Sequence, residues 1–199
     1  MSVIIPHVYP KLDFSHLKGL KGISDAQLEV HFALYAGYVT NTNKLNELIA
    51  KMIADGQSGT PAWAEANRRA GWEYNGMILH EYYFGNLASM GKGNPGPKLK
   101  AAVEKNFGSF EAWQKDFIAC GTMRGIGWVI LYRDPVSKAL SNHWITEHDC
   151  GHPAGYKPIL VLDVFEHAFM VDYKPAERAK YIDAFFENVD WTAVENRLA

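Results

Sequence analysis

Cysteine is scarce: Cys120 and Cys150 are the only two in 199 residues, too few for a disulfide-stapled scaffold and not spaced as a C-x-x-C pair. Both read as reduced thiols. An excess of one charge is also lacking, since 20 Lys and Arg stand against 22 Asp and Glu for a net charge of −2. That balance counts against a dedicated nucleic-acid binder. No apolar run approaches the ~18 residues needed to span a bilayer; one of the longest, Pro158 to Leu162, is far shorter, and no membrane association is expected. The first ten residues hold Val3, Ile4 and Ile5 but no basic segment, and a proline follows at once. They do not read as a secretory signal, and a cytoplasmic chain is expected. G-x-S-x-G, Walker and dinucleotide glycine motifs are missing as well, which removes serine-hydrolase and nucleotide-binding readings.

What is present is ample core material: 48% hydrophobic and 13% aromatic residues, at a length that can bury about 70% of the unfolded chain's surface. Disorder is thereby excluded. Ser24 reads as the N-cap of a helix beginning near Asp25. Leu28, His31, Leu34, Tyr35, Tyr38 and Val39, then Leu45, Leu48, Ile49 and Met52, recur at threes and fours, one long amphipathic helix with a kink expected near Gly37. A second pattern runs from Pro61 or Trp63 through Trp72, Met77, His80 and Phe84 to Leu87. The short Gly/Ser turn between them makes an antiparallel hairpin. Breakers concentrate from Gly91 to Pro97, so the division falls there, between an N-terminal domain of residues 1–92 and a C-terminal domain of residues 93–199. Helices are expected at Lys98 to Asn106, at Ser109 to Thr122 and at Ala176 to Val189. Between the last two, Gly127 to Tyr132, Ala139 to Thr146 and Pro158 to Val164 are β-rich runs separated by turn residues, a small antiparallel sheet. The fold class is therefore α+β.

Eight histidines are present. His31 and His80 lie on the apolar faces of the two hairpin helices, where a lone histidine is usually a hydrogen-bonded core residue. One on each arm points instead to a shared metal, because facing side chains are how helical bundles build metal sites. The apolar run Ile159 to Leu162 ends in Asp163, with Glu166 and His167 just beyond, charged groups where the pattern asks for apolar ones. The plain alternative for Asp163 is capping of the strand end. Together His31, His80, Asp163 and His167 offer three imidazoles and a carboxylate, a set suited to zinc, iron or manganese. A competing cluster, Glu147-His148-Asp149-Cys150-Gly151-His152, could hold zinc but has no evident fourth ligand. A polar loop is the simpler reading.

These segments resemble the iron/manganese superoxide dismutase family. Asp163-Val164-Phe165-Glu166-His167-Ala168-Phe169 is similar to its D-x-W-E-H-A-Y signature. Tyr173, Arg178, Tyr181-Ile182, Phe185-Phe186, Val189 and Asp190-Trp191 follow its C-terminal pattern, and Val30-His31, the run Tyr38 to Asn43, Leu79-His80, Gly108-Ser109-Phe110 and Gly125-Ile126-Gly127-Trp128 fall in its order. The resemblance spans nearly the whole chain. It implies an N-terminal antiparallel helical hairpin followed by an α/β domain with a three-stranded antiparallel sheet. One iron or manganese per chain would be held by His31, His80, Asp163 and His167. The implied activity is disproportionation of superoxide to oxygen and hydrogen peroxide. The family's Gln or His that hydrogen-bonds metal-bound solvent falls on His148, since the other place that can supply it is Gly76.

Departures from the family accompany the match. The family's Tyr lies eight residues after the first ligand, where this chain has Val39, so Tyr38 takes the gateway role. Met77, Phe84, Phe165 and Ile130 replace a His and three tryptophans. Tyr35 and Met170 stand where the family has a His and a Tyr that meet across a dimer interface, which predicts that Tyr35 acts on subunit association. Glu166, which in the family contacts a ligand His of the other subunit, is retained, and a homodimer or higher homo-oligomer is expected. Two other readings are a dismutase-like structural protein with a vestigial site and a metal-dependent peroxidase or oxidase.

Overall fold

The structure is a computed structural model that describes residues 5–89, 91 and 93–198. Val3 and Ile4 of the opening segment, and Lys92 at the expected domain division, lie outside the described residues. Helix α1 spans Asp25–Ala54, and its N-cap is Ser24, whose hydroxyl accepts from Gln27 N, a cap worth about 1 kcal/mol. It is continuous through Gly37, where a kink was expected. Helix α2 spans Pro61–Phe84 with Thr60 as N-cap. The two run antiparallel: Tyr35 Oη reaches Glu81 at 2.8 Å while Asn41 meets Glu73 at 3.4 Å, so position advances on one helix as it recedes on the other. Leu28, His31, Tyr35, Val39 and Thr42 are the buried stripe of α1, and Glu73, Gly76, Met77, His80 and Phe84 that of α2, the three-four spacing of one helix face.

The segment before α1 is strapped onto the hairpin. Asn43 accepts from Tyr9 N and donates to Tyr9 O, Asn46 donates to His7 O, and Leu12 N donates to Tyr35 Oη. After α2, Ala88 N donates to Asn188 O and the buried Asn86 donates to Val161 O. Helices α3 (Pro97–Phe107) and α4 (Phe110–Gly121) follow, α4 capped by Ser109. Strands β1 (Trp128–Arg133), β2 (Leu140–Ile145) and β3 (Lys157–Asp163) form one antiparallel sheet in the order β2-β1-β3. The three-stranded sheet and the hairpin before it are the expected architecture. Trp128 sits opposite both Ile145 and Asp163. β1 is buried from Trp128 through Tyr132, as a central strand covered on both faces should be.

Gly127 sets up that strand. Its φ is +133°, and a Cβ there would lie 1.9 Å from Ile145 O, so only glycine can stand at this close approach. The expected final helix is present, and a further short helix follows it. A 3-10 turn at Pro175–Glu177 leads into α5 (Arg178–Glu187), and α6 (Trp191–Asn196) starts afresh because Asp190 Oδ1 accepts from Thr192 N and Ala193 N. One continuous apolar cluster joins hairpin, sheet and C-terminal helices, from Leu17 and Leu28 through Phe84 and Trp128 to Phe185 and Val194. No helix among the described residues is long and apolar enough to cross a membrane.

Candidate metal centre

Four elements converge between hairpin and sheet. α1 brings His31, α2 brings His80, the end of β3 brings Asp163, and a 3-10 turn at Glu166–Ala168 brings His167. Asp163 divides its two oxygens: Oδ1 accepts from Phe165 N at 2.8 Å, which turns the chain at the strand end, while Oδ2 faces the imidazoles. His31 Nε2 and His167 Nε2 each lie 3.1 Å from Oδ2, and His80 Nε2 lies 3.6 Å away. Oδ1 thus makes the capping contact, and Oδ2 is left as the oxygen that faces the three imidazoles.

The donor set fits a metal ion. The four candidate ligand atoms lie within 4.8 Å of one another. His80 Nδ1 bonds Gly76 O at 2.5 Å; a carbonyl only accepts, so Nδ1 carries the proton and Nε2 presents a bare lone pair. That Nε2 is buried without a hydrogen-bond partner, an omission that costs about 1–3 kcal/mol unless something else occupies the lone pair. Burial pushes His31 below its ordinary pKa and His80 well below it, which favours the neutral imidazole that a metal ion requires. Burial alone would raise the Asp163 carboxyl, but the His167 and His31 imidazoles outweigh it and hold that carboxyl far below the usual range. Burial likewise opposes the charge on His167, yet the Asp163 carboxylate prevails and raises its pKa.

Side chains around the cluster are pinned individually. Gln27 donates to His167 O at 2.6 Å and accepts from Val171 N at 2.9 Å, and Tyr181 Oη donates to Asp163 O at 2.8 Å. Phe165 stacks on His167, and Phe84 and Trp128 present edges to His31 and His80. Sequence reasoning did not single out Gln27 and gave Tyr181 no role at the site. The signal for Gln27 was a polar residue within the buried stripe of α1.

His148 and Tyr38 complete the surroundings. His148 is buried; its Nδ1 lies 3.1 Å from Trp128 Nε1 and its Nε2 lies 2.7 Å from Tyr38 Oη. An indole N–H can only donate, so His148 Nδ1 must accept, and the ring is neutral with its proton on Nε2. Burial pushes its pKa down to about 4, in keeping with that state. The Tyr38 ring lies over Gly76, where a Cβ would approach it to 2.5 Å. Any longer side chain at position 76 would displace Tyr38. Trp72 packs on both Tyr38 and His148, under the Arg69 guanidinium 3.9 Å from its ring centre.

The competing loop builds no metal site. Cys150 is exposed and faces Asp149, while His152 bonds Tyr132 and His148 O. Only the His31, His80, Asp163, His167 group has metal-ligand geometry among the described residues. Tyr35 is placed inside the chain, 2% exposed, between Leu12 N and Glu81, because its hydroxyl finds both partners on neighbouring segments.

Comparison with known proteins agrees with this geometry. Residues 95–197 match the C-terminal domain of the iron/manganese superoxide dismutases. The chain is 38% identical over 189 residues to a protein of Aquifex aeolicus named superoxide dismutase [Fe], covering 92% of this chain and 88% of that one. The chain belongs to the iron/manganese superoxide dismutase family. Among other relatives, the superoxide dismutase [Mn] of Haloarcula marismortui is 39% identical over 163 residues, 81% of this chain and 77% of the relative. The superoxide dismutase [Fe] of Cupriavidus metallidurans is 35% identical over 200 residues, 95% of this chain and 87% of the relative. Relatives named for iron and for manganese thus match this superoxide dismutase family member about equally well.

Proposed function

We propose that this chain disproportionates superoxide, with one iron or manganese ion per chain held by His31, His80, Asp163 and His167. The observation that carries the reading is the convergence of three imidazoles on Asp163 Oδ2, with His80 Nε2 left bare and unpartnered. A redox metal there supplies the one-electron steps by which one superoxide is oxidised to oxygen and another, taking up two protons, is reduced to hydrogen peroxide. The residues govern the protons. His148 Nε2–H donates to Tyr38 Oη, so Tyr38 accepts there and its own hydroxyl hydrogen is free to point elsewhere. Burial raises the Tyr38 pKa, which keeps that proton in place until a stronger base arrives, such as nascent peroxide. Tyr38 is accordingly the proton donor and His148 the group that aims it. The buried rings of Phe84, Trp128 and Phe165 restrict water, and a small anion is the substrate such a site accepts.

A homodimer or higher homo-oligomer with the exposed Glu166 at its interface, a cytoplasmic location and a division into residues 1–92 and 93–199 belong to the same reading. The oligomer is supported by family likeness and the division by the breakers from Gly91 to Pro97. Elemental analysis of protein from its native host, with a superoxide disproportionation assay, tests the whole. Tyr38→Phe should keep its metal and lose turnover about 10-fold or more at high superoxide, where proton delivery limits release. Wild-type protein that binds neither iron nor manganese, or a Tyr38→Phe enzyme equal to wild type at every substrate level, would overturn it.

A further inference from the structure

His148 lies in the loop of residues 146–156 between β2 and β3, where no ladder of sheet bonds fixes its backbone. A proton-aiming group on such a segment needs another restraint, since a shift of about 1 Å is enough to spoil a catalytic geometry. The restraint is visible four residues on. His152 Nε2 lies 2.7 Å from His148 O. A carbonyl accepts only, so Nε2 carries the proton and donates in either charge state of the ring. The other nitrogen, Nδ1, lies 2.6 Å from the hydroxyl of the buried Tyr132.

Two rungs join the central strand to this loop. Trp128 on β1 holds the ring of His148, and Tyr132, four residues along the same strand, holds the ring of His152. Each rung links residues 20 apart in sequence, so a W-x-x-x-Y strand meets an H-x-x-x-H loop in register. Trp128 fixes which nitrogen of His148 is protonated. The second rung bears on where the His148 backbone sits. Tyr132 is itself wedged edge-on to His143 of β2, so the anchor is the sheet and not the loop.

We propose that His152, anchored by Tyr132, is a positioning residue for the dismutase chemistry: it clamps the His148 carbonyl and thereby aims His148 Nε2–H at Tyr38. This inference rests on the functional reading above, and it assigns a role to the histidine that neither the metal cluster nor the proton path uses.

The test compares metal-loaded wild type with His152→Ala, His152→Gln and Tyr132→Phe, using His148→Ala as reference. The readouts are metal content, turnover and the midpoint potential of the bound metal by redox titration. His152→Ala should keep its metal, lose turnover about 10-fold, the lower end for a partner of this kind, and shift the potential in the same direction as His148→Ala. His152→Gln, whose amide N–H can reach the same carbonyl, should recover turnover to within about 3-fold of wild type. That recovery separates aiming from mere loop stability. A His152→Ala enzyme with wild-type potential and turnover, or a loss that Gln does not restore, overturns the clamp. Should His152→Ala fail to fold, Tyr132→Phe decides, because it deletes one hydroxyl and keeps the ring. A smaller shift of the same sign supports the clamp, and wild-type values on both readouts overturn it. A wild type that lacks dismutase activity removes the functional reading instead, while the potentials still judge the clamp.

Discussion

His31, His80 and Tyr38 stand on the long helices of the hairpin, whereas Asp163, His167 and His148 stand at a strand end, in one 3-10 turn and in a loop. On the hairpin side, helix geometry does most of the placing: once α1 and α2 pack, residues three or four apart share a face, and the tie on His80, from Nδ1 to Gly76 O, lies within its own helix. On the sheet side each group is tied by its own hydrogen bond, Asp163 by Phe165 N and Tyr181, His167 by Gln27, His148 by Trp128 and His152. Periodicity therefore carries half of the site and individual polar contacts carry the other half. The halves should fail differently when perturbed.

The largest difference is expected from a ligand set against its support. His80→Ala removes an imidazole from the hairpin side, and its loss should exceed the roughly 100-fold that an outer partner costs, with metal content by elemental analysis falling near zero. Gln27→Ala removes only the tie on His167 O and should retain most of the metal, with affinity reduced about 10-fold. Equal metal loss in the two variants would abolish the distinction between ligand and tie.

Glycines sharpen the contrast. A Cβ at Gly127, on the sheet side, would meet backbone at 1.9 Å with φ at +133°, whereas one at Gly76, on the hairpin, would meet the movable ring of Tyr38. Gly127→Ala should cost on the order of 4 kcal/mol by denaturant unfolding. Gly76→Ala should cost about 1–3 kcal/mol and lower turnover by displacing Tyr38 while metal is kept. A Gly76→Ala protein with wild-type turnover would show that the ring can move without loss.

Acid should probe the sheet side through His148. Burial holds its folded pKa at about 4 against 6.5 for the ordinary group, so between those values the unfolded chain binds a proton that the native chain does not. Stability of the metal-free protein must then rise with pH across that window. His148 contributes up to about 3 kcal/mol of loss as pH falls from 6.5 to 4, and nothing above 6.5. His148→Gln should lessen the slope, and an unchanged slope would mean that His148 is not buried neutral in solution.

Legibility in the sequence follows the same division. His31 and His80 could be read from their place on apolar stripes, and Asp163 and His167 from charge interrupting a buried run. His148 came only from resemblance to the family, because nothing local separates it from His152 in a polar loop. What separates them is which strand residue each meets, Trp128 or Tyr132, and that pairing exists only once β1 lies beside the loop. Helix α6, beyond the expected end at Val189, was missed for the opposite reason. Asp190 before Trp191 is a local capping signal, but the pattern of the preceding helix obscured it.

The smallest expected effect concerns Tyr35, on the hairpin side, where it replaces a residue that the family resemblance places at a subunit interface. Its hydroxyl donates to Glu81 at 2.8 Å and accepts from Leu12 N at 3.0 Å, and its ring packs edge-on against Phe14 and Phe84. The side chain thus ties the leading strap to both hairpin helices from inside the chain. Tyr35→Phe keeps the ring and deletes two hydrogen bonds, a loss of about 1 kcal/mol because Glu81 is only partly buried and can be solvated. Subunit association, read by sedimentation against protein concentration, should not change, since a residue 2% exposed within one chain has little surface to offer another. A marked shift toward monomer in Tyr35→Phe would return this residue to the interface and show that the strap itself forms part of the contact between subunits.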